Sequence, residues 1–405
     1  MCAILGRPQM RHGTYDLTDP ALYSHGDPHL VWRRMREECP IGWHHRHGAD
    51  GFWSVTGYEP GNVVLHTAST YSSERGVQLR SRLSVPNSAA GRTLVLVDPP
   101  KHGKLRGPLR KLFTPRSIAV MEPRARRVIR SLLRTVSGAG PCDFVGTVAS
   151  RIPMAVMAEL LGVEPKDVET MATLADAAGD ESLDCNGLTT QEAHIAILMY
   201  YTDLLEVRRC QRSDDVMSAL IGAQESGAAI TDDEIVLTCE NVFTASVDTT
   251  KSAIGSALLT LLDHPEQWSR LGGGVSLDAA VEEILRWVAP VTHVLRTAST
   301  PAVLGGVDIA AGDGVAVWLP SMNRDDAVFP DADKLRLDRI RNPHRTFGAG
   351  PHFCIGAPIV RLILRVFLEE LRLGVGKIAA AGKPSFFPSY ILSGPAALPV
   401  ELGSR

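Results

Sequence analysis

The sequence has no long apolar run, no Cys-x-x-Cys pair, no internal repeat and no strong excess of one charge. A membrane-spanning helix needs about 18 or more consecutive apolar residues, and no segment approaches that length. The segment Met1–Pro20 carries Arg7, Arg11 and Asp16 where a signal peptide would be apolar. We therefore expect a soluble, cytoplasmic protein with no membrane partner.

The cysteines are also uninformative as a set, because there are seven of them and they are scattered. An odd, scattered set disfavours a zinc site or a disulfide framework. The net charge of −3 gives no general attraction to nucleic acid. The basic stretch 101–134 has no aromatic platform on which bases could stack, so we expect no nucleic-acid partner.

What the sequence does contain is the composition of a globular protein, with 44% hydrophobic and 21% charged residues. No linker interrupts it, so we expect one domain over residues 1–405. Ile118–Val136 and Ala193–Leu205 have helical spacing, whereas Phe52–Thr56 and Val303–Leu319 are typical of short strands with tight turns. The predicted fold class is mainly α with a minor β part.

The clearest helix runs from about Asp232 to Asp263, after the capping box Thr231-x-x-Glu234 and before His264-Pro265. Small and hydroxyl residues occupy its middle, from Asn241 to Thr250, where an ordinary core helix would carry Leu and Ile. Such residues allow another group to approach closely and can bend a helix. A ligand beside the helix centre is therefore expected.

One cysteine has unusual surroundings, in the segment Phe347-Gly-Ala-Gly-Pro-His-Phe-Cys354-Ile-Gly. Its glycines permit a tight turn and the close approach of a flat cofactor. A helical pattern from Pro358 to Leu373 follows, which would place the sulfur near free backbone N–H groups that stabilise a thiolate. An arbitrary lone cysteine is usually a small buried apolar residue, but this spacing favours a ligand role.

This segment resembles the haem-binding signature of the cytochrome P450 superfamily, of the soluble bacterial type. The resemblance implies that Cys354 is the axial ligand of a haem b iron. It also implies the cytochrome P450 fold, with the haem buried between the long central helix and the helix that follows the cysteine loop. Further landmarks of the family follow in the expected order along almost the whole chain.

One landmark is Glu283-x-x-Arg286, which resembles the structural Glu-x-x-Arg pair of the family. A buried pair needs further partners, and the segment 329–339 leaves three candidates open, namely Lys334, Arg336 and Arg339. The haem propionates need cations or donors. Four residues match propionate-binding positions of the family, although each alone could be an exposed cation: His102, Arg106, Arg296 and His352.

On the long helix, Ala245-Ser246-Val247-Asp248-Thr249-Thr250 resembles the family's Ala-Gly-x-(Asp/Glu)-Thr-Thr. The resemblance implies that Asp248 and Thr249 are catalytic and deliver protons for dioxygen activation. Ser246 departs from the family pattern, which has glycine there. Its hydroxymethyl group would either crowd the oxygen pocket or add a hydrogen bond.

Positions that commonly line the family's substrate pocket map to several segments. A histidine among them, His293, would either orient a substrate or be a hydrogen-bonded structural residue, and Arg80 and Arg82 would either meet an acidic substrate or face water. Neither alternative identifies the substrate. The pocket positions are the ranges 77–93 and 177–184, Val242, Ala245, Ser246, the range 291–295 including Val291, Ile391 and Leu392.

The resemblance implies monooxygenation of a small organic substrate. Because bacterial members of the family commonly act in secondary metabolism, we expect that role here. Electrons would come from NAD(P)H through a ferredoxin reductase and a ferredoxin. Exposed basic residues could attract an acidic ferredoxin or simply be solvated: Lys101, Lys104, Arg110, Lys111 and Arg116. Two alternatives stay open, namely oxidative cyclisation or coupling without oxygen insertion, and a haem-binding sensor or electron carrier, which would not need Asp248 and Thr249.

Overall fold

The computed structural model describes residues 16–46, 48–79, 89–179 and 189–405. The helices in these ranges are α1 (Pro20–Ser24), α2 (Pro28–Glu38), α3 (Tyr58–His66), α4 (Lys101–Leu109), α5 (Pro115–Val136), α6 (Arg151–Met157), α7 (Val168–Gly179), α8 (Thr190–Cys210), α9 (Val216–Glu225), α10 (Asp232–Asp263), α11 (Pro265–Gly272), α12 (Leu277–Val288), α13 (Leu319–Met322) and α14 (Ala357–Gly374). Short 3-10 helices lie at Arg110–Phe113, Pro165–Asp167 and Gly350–His352, and one π turn lies at Val145–Ala149.

The strands are β1 (Ile41–His44), β2 (Phe52–Val55), β3 (Tyr71–Ser72), β4 (Pro141–Asp143), β5 (His293–Ala298), β6 (Ala302–Leu304), β7 (Val307–Ile309), β8 (Gly314–Trp318), β9 (Val375–Ala380), β10 (Ser385–Phe386), β11 (Pro395–Ala397) and β12 (Pro399–Ser404). The mainly α class with a minor β part is confirmed. The helical patterns predicted for 118–136 and 193–205 fall within α5 and α8, and the strand pattern at 303–319 forms β6, β7 and β8.

The long helix α10 has the bounds that its sequence predicts. The Glu234 N–H donates to Thr231 Oγ1 at 3.2 Å, and the Thr231 N–H donates to Glu234 Oε2 at 2.9 Å, which completes the capping box. The helix ends before Pro265, the first residue of α11. It contacts α6, α7, α8, α12 and α14, and therefore runs through the centre of the helical part of the molecule.

The largest sheet has five strands in the order β1-β2-β8-β5-β3. Strands β2 and β8 are parallel, with Trp53 opposite Val315, and the other pairs are antiparallel. A second sheet has the order β4-β12-β9, and two pairs, β6-β7 and β10-β11, complete the β part. Strand β5 lies inside the large sheet, and it carries Arg296 into the interior of the molecule.

The main hydrophobic core lies among the helices, and a smaller core packs against the five-stranded sheet. Helix α14 buries most of one face, including Ile363 and Phe367, against α5 and α12. This packing fixes the start of α14, and so the loop before it, relative to α10. None of the described helices is both long and apolar enough to cross a membrane.

Candidate active site

A cavity lies between α10 and the cysteine loop, as expected for the haem site. The loop contributes residues from Thr346 to Gly356, and the first turn of α14 contributes Ile359 and Val360. The opposite wall is one face of α10, because its lining positions recur at helical spacing. They are Asn241, Val242, Ala245, Ser246, Thr249, Thr250 and Ala253.

The cysteine loop has a conformation that requires two of its glycines. Gly348 and Gly350 both have φ of +67°, which side-chain-bearing residues rarely adopt. A Cβ at Gly350 would also overlap the carbonyl oxygen of Leu65 in α3. The Cys354 N–H donates to the Phe347 carbonyl at 2.9 Å, which closes the turn and directs the cysteine to the cavity.

The Cys354 side chain lines the cavity and is exposed there. Desolvation by the surrounding protein raises the pKa of the thiol. The backbone N–H groups of Gly356 and Ala357, at the entrance to α14, and the charge of Arg106 act in the opposite direction. The thiol is therefore surrounded by donors and positive charge, which favour a thiolate once a metal cation replaces its proton.

Basic side chains gather at one end of the cavity. The rings of His102, in α4, and His352, in the cysteine loop, have their centroids 4.3 Å apart. Arg106 lies one turn after His102 and donates to the Phe353 carbonyl at 2.6 Å. Arg296 completes the group from β5. The structure thus brings together all four residues predicted to bind propionates, and all four line the cavity.

Two of these groups lack the partners that burial requires. Arg296 is only 4% exposed, and its guanidinium donates to the Leu295 carbonyl at 2.8 Å. Desolvation lowers its pKa to about 10, and no carboxylate in the described part of the chain forms an ion pair with it. Nε2 of His102 is buried without a hydrogen-bond partner in the same ranges, and burial lowers the pKa of this residue to about 4.

His352 has partners that the sequence did not reveal. Its Nε2 lies 3.2 Å from Ser73 Oγ and 3.8 Å from Asp98 Oδ1. Desolvation lowers the pKa of His352, while Asp98 acts to raise it. Asp98 stands four residues before His102 on the sequence, but no motif signalled its contact with the cysteine loop.

These observations test whether the residues fit a haem. A soft sulfur ligand faces the cavity, and at the cavity's end carboxylate oxygens would pair with the Arg296 guanidinium and supply a partner for His102 Nε2. Apolar side chains, among them Leu94, Phe113 and Val294, line much of the remaining wall. The donor set therefore fits an iron porphyrin with two carboxylates.

The predicted catalytic pair is divided between two sides of α10. Thr249 lines the cavity, and its hydroxyl donates to the Ala245 carbonyl at 2.7 Å. Asp248 is one residue earlier, turned away from the lining face, and forms an ion pair with Lys251 at 2.7 Å. Lys251 also pairs with Asp176 of α7 at 2.6 Å, so Asp248 belongs to a link between α7 and α10.

Ser246 forms a hydrogen bond, which was one of the two alternatives stated for it, and it also borders the cavity. Its hydroxyl donates to the Val242 carbonyl, within its own helix, and the side chain lines the cavity. Helix α10 runs without interruption from Asp232 to Asp263 around this position. The hydrogen bond therefore stays inside the helix rather than reaching across the cavity.

The Glu283-x-x-Arg286 pair is completely buried, and its third partner is Arg339. Arg286 Nε and Arg339 Nε lie 2.8 and 3.0 Å from Glu283 Oε2. The other two candidates contribute backbone groups only: Lys334 offers its carbonyl to Arg286 at 3.1 Å, and the N–H of Arg336 donates to Glu283 Oε1 at 2.8 Å. The network lies under the segment that leads into the cysteine loop.

Some of the predicted pocket residues line the cavity, and others do not. Val77, Val242, Ala245, Ser246 and Val291 line the cavity. Arg80 and Arg82 lie outside the described residues, as do 80–88 and 180–184 of the predicted loop segments. Of the positions predicted individually, His293, Ile391 and Leu392 are not among the lining residues of the described cavity.

His293 has the bonding of a structural histidine. Its Nε2 accepts from the Leu79 N–H at 3.0 Å, and its Nδ1 lies 3.0 Å from the Tyr390 carbonyl. Burial lowers its pKa to about 4, so the ring is held neutral. The residue ties β5 to the 389–392 turn.

Sequence reasoning missed two residues of α10 that the structure brings to attention. Lys251 follows Asp248 by three residues, a spacing from which an ion pair could have been predicted. Asn241 precedes Ala245 by four residues, so its place on the lining face could also have been found.

The comparisons with known proteins agree with this geometry. The family model described as Cytochrome P450 matches residues 191–272 and 276–371. Cytochrome P450 NovI of Streptomyces niveus is 30% identical over 96% of this chain and 96% of its own length. A Mycobacterium tuberculosis protein named as cytochrome P450 126 is 35% identical over 96% of this chain and 97% of its own.

The crystal structure of P450 OxyD, involved in the biosynthesis of vancomycin-type antibiotics, superposes with a TM-score of 0.89 at 31% identity, covering 97% of this chain and all of that one. The similarity to these three proteins extends over nearly the whole length of the chain, and the family model spans both the long helix and the cysteine loop. The chain belongs to the cytochrome P450 family, whose members are haem-dependent oxidoreductases.

Proposed function

We propose that this protein is a haem-thiolate monooxygenase with Cys354 as the axial ligand of a haem b iron. One observation carries the proposal: the cysteine faces a cavity whose end holds unpaired, buried basic groups and whose opposite wall is the Thr249 face of α10. When bound, the haem supplies the dioxygen and electron-transfer chemistry that the protein side chains lack.

The four basic residues hold the propionates in this proposal. Arg106 and Arg296 supply charge-assisted donors, which are stronger than neutral ones. His102 and His352 supply ring nitrogens beside them. Ser73 and Asp98 orient His352 through the contacts at its Nε2.

Proton delivery falls to Thr249 and Asp248. The Thr249 hydroxyl donates its own proton to Ala245 O, so its oxygen lone pairs are available to accept a proton donor from the cavity. Asp248 lies on the adjacent face and reaches the outside through Lys251 and Asp176, the latter half exposed. The acid thus supplies protons from the protein exterior, and the threonine orients them inside.

Electrons come from an acidic ferredoxin and its NAD(P)H-dependent reductase in this proposal. Near the cysteine loop, α4 and the segment after it present four exposed cations without ion-pair partners among the described residues: Lys104, Arg110, Lys111 and Arg116. The fifth predicted cation, Lys101, instead pairs with Glu234 and donates to the Gly91 carbonyl. The four free cations provide the charge complementarity for docking.

We further propose a role in secondary metabolism. Relatives and neighbours of similar sequence carry names or titles that include linalool 8-monooxygenase, steroid C26-monooxygenase and a P450 EryK complex with erythromycin B. These names support a small organic substrate.

The spectrum of the reduced, carbon-monoxide-bound protein tests the ligand. Thiolate ligation gives a strongly red-shifted Soret band, which we expect in the wild-type protein and not in Cys354→His, where a neutral imidazole replaces the thiolate. Cys239→Ala is the control, because Cys239 is buried in α10 and does not line the cavity. A red-shifted band that survives Cys354→His would show that another group ligates the iron.

Product analysis under ¹⁸O₂ separates oxygen insertion from oxidative coupling. Insertion adds one labelled oxygen atom to the substrate, whereas ring closure or coupling removes two hydrogen atoms and adds no label. We expect the labelled product. Unlabelled, dehydrogenated product as the main outcome would support the alternative.

A further inference from the structure

Asn241 has an unusual position in α10, at the start of the face that lines the cavity. The residues that follow it on this face are Ala245 and Thr249, four and eight positions later. At 1.5 Å per residue, they lie about 6 and 12 Å further along the helix axis. Asn241 is thus one to two turns away from the proposed site of oxidation.

Within residues 16–46, 48–79, 89–179 and 189–405, no hydrogen bond to the side-chain amide of Asn241 is present. Its backbone carbonyl accepts weakly from Thr244 Oγ1 at 3.4 Å, but neither its amide nitrogen nor its amide oxygen has a partner among these described residues. The hydroxyls of Ser246 and Thr249, further along the same face, already donate their protons to carbonyls of their own helix. An amide offers two donors and one acceptor with two lone pairs, all of which are available here.

The surroundings of Asn241 in the cavity wall are apolar. Among the described residues that line the cavity, no carboxylate is present. The wall away from the cysteine loop consists of aliphatic side chains and Met: Val77, Leu94, Val95, Met157, Leu160, Leu161, Val242, Val291 and Val294. A small number of placed polar groups in an apolar wall is how pockets fix the orientation of a ligand.

We propose that Asn241 is the residue that recognises a carbonyl or hydroxyl group of the substrate, whose remaining body is apolar. This inference rests on the proposed function, since the substrate occupies the cavity beside a bound haem. The hydrogen bond holds the polar group at one end of α10's lining face, so the substrate is oxidised roughly 6 to 12 Å away from that group. The residue therefore selects both the substrate class and the position of oxidation.

Imidazoles bearing an N-alkyl chain test this inference without a known substrate. The imidazole nitrogen binds haem iron directly, so the change in the visible spectrum of the haem-loaded protein reports a Kd for each compound. Chains of increasing length are compared in matched sets, one ending in a methyl group, one in a hydroxyl and one in a methyl ketone. The quantity measured is the affinity gained from the terminal polar group at each chain length.

We expect the hydroxyl or ketone to improve affinity about two- to tenfold at one particular chain length, the range of a single net hydrogen bond. Asn241→Leu, of similar volume, should lose this gain while binding the methyl-terminated compounds as before. Asn241→Gln should retain a gain and move it to a shorter chain, because its amide extends one methylene further. Thr244→Val is the matched control on the same helix, off the lining face, and should keep the gain unchanged.

The outcomes separate the inference from the proposed function. A gain that is absent at every chain length, or that persists in Asn241→Leu, overturns the role of Asn241 while leaving the haem site intact. Failure of the haem-loaded protein to give any imidazole spectrum, or failure to bind haem, overturns the proposed function itself.

Discussion

Single buried charges in this protein differ in how they are compensated. Glu283 accepts hydrogen bonds from Arg286 and Arg339, and also from Asn342 Nδ2 at 3.0 Å and the Arg336 N–H. Arg296, equally buried, has no carboxylate partner in the described part of the chain. The protein itself compensates the charge of Glu283, whereas the charge of Arg296 is suited to pair with an anionic group of a ligand.

Replacing Glu283 should therefore destabilise the fold. In Glu283→Gln, two buried guanidinium groups lose their carboxylate, and breaking a buried pair costs about 3–5 kcal/mol. We expect a loss of that size in the free energy of unfolding from denaturant titration, together with poor haem incorporation. Asp331→Asn is the control, since it removes an exposed pair with Lys334 and should cost less than about 1 kcal/mol. A fully stable, haem-loaded Glu283→Gln would contradict the structural role.

Replacing Arg296 should have opposite effects on the protein and on the cofactor. An unpaired buried charge opposes folding, so Arg296→Leu should leave the haem-free protein as stable as the wild type or more stable. Loss of a charge-assisted bond to a propionate should weaken haem affinity about tenfold or more. Haem transfer to a scavenging apoprotein measures the second effect, and the exposed Arg116→Leu should show neither. Unchanged haem retention would remove Arg296 from the propionate site.

For single residues, the sequence could predict which side chains have a structural or binding role, but not always which residue each of them contacts. It placed Lys334, Arg336 and Arg339 in one short segment, and only the path of the backbone decides which side chain reaches Glu283. His293 presents the same difficulty, because its two ring nitrogens are bonded to Leu79 and Tyr390, both distant in sequence. Such contacts depend on tertiary structure and leave no local signal.

At the scale of elements, α10 separates its functions by face. Thr249 and Thr244 both donate to carbonyls of their own helix, but only Thr249 lines the cavity. Thr249→Val should raise peroxide release several-fold per NAD(P)H consumed, since the oriented hydroxyl is lost. Thr244→Val should leave the ratio of product to peroxide unchanged. Equal coupling in the two variants would remove Thr249 from proton delivery.

A second link between elements holds the cysteine loop through α12 and α14. Glu282 of α12 accepts from Arg361 Nε of α14 at 2.6 Å and lies 3.2 Å from His344 Nε2, ahead of the loop. Arg361 in turn lies over the Phe347 ring at 4.7 Å. Burial acts to raise the pKa of Glu282, but the bonds to His344 and Arg361 outweigh it and lower this pKa to about 2.

This shift predicts a dependence of stability on pH. The pKa of Glu282 is lower in the folded state than its ordinary value of 4.5, so its contribution is complete above pH 4.5 and is lost as the pH falls towards 2. Thermal unfolding of wild type and Glu282→Gln should therefore differ most above pH 4.5, and the two curves should converge in acid. A difference that stays constant across this range would show that Glu282 does not titrate as proposed.

The bounds of α10 could be predicted because its two ends carry local signals, the capping box and Pro265. The direction of Asp248 was harder to predict. The motif placed Asp248 beside Thr249, yet Lys251 and Asp176 hold the carboxylate on the α7 side. Asp176 lies in another helix, α7. The sequence around Asp248 could therefore predict its pair with Lys251, but not the pair between Lys251 and Asp176.

At the scale of the whole molecule, the family could be predicted because its landmarks are spread along the chain in a fixed order. Each of three motifs is a weak indication of the family when taken alone: the cysteine loop, the Glu283 pair and the α10 motif. Their occurrence in the family's order along one chain is a much stronger indication. That residues 1–405 form one domain stays a prediction. The identity of the redox partner likewise depends on a surface that no single motif describes.

The exposed cations near the cysteine loop predict a salt dependence of electron transfer. Attraction between exposed charges weakens once the screening length falls to about 10 Å, near 0.1 M ionic strength. The rate of reduction by an acidic ferredoxin should therefore fall with added salt, and Lys104→Glu with Lys111→Glu should lower the rate at low salt several-fold. Lys377→Glu, an exposed change on β9, should have little effect. A rate independent of both salt and these charges would argue against this docking face.

The unpaired basic end of the cavity has a consequence for how the protein is assembled. Because Arg296 and His102 are buried at this end of the cavity, with no carboxylate paired to Arg296 and no partner for His102 Nε2 among the described residues, the site favours a porphyrin whose edge bears free carboxylates. A porphyrin diester has the same ring and the same iron but cannot neutralise these groups, so it should be rejected during maturation. The residues that hold the cofactor would thus also select which tetrapyrrole the protein incorporates.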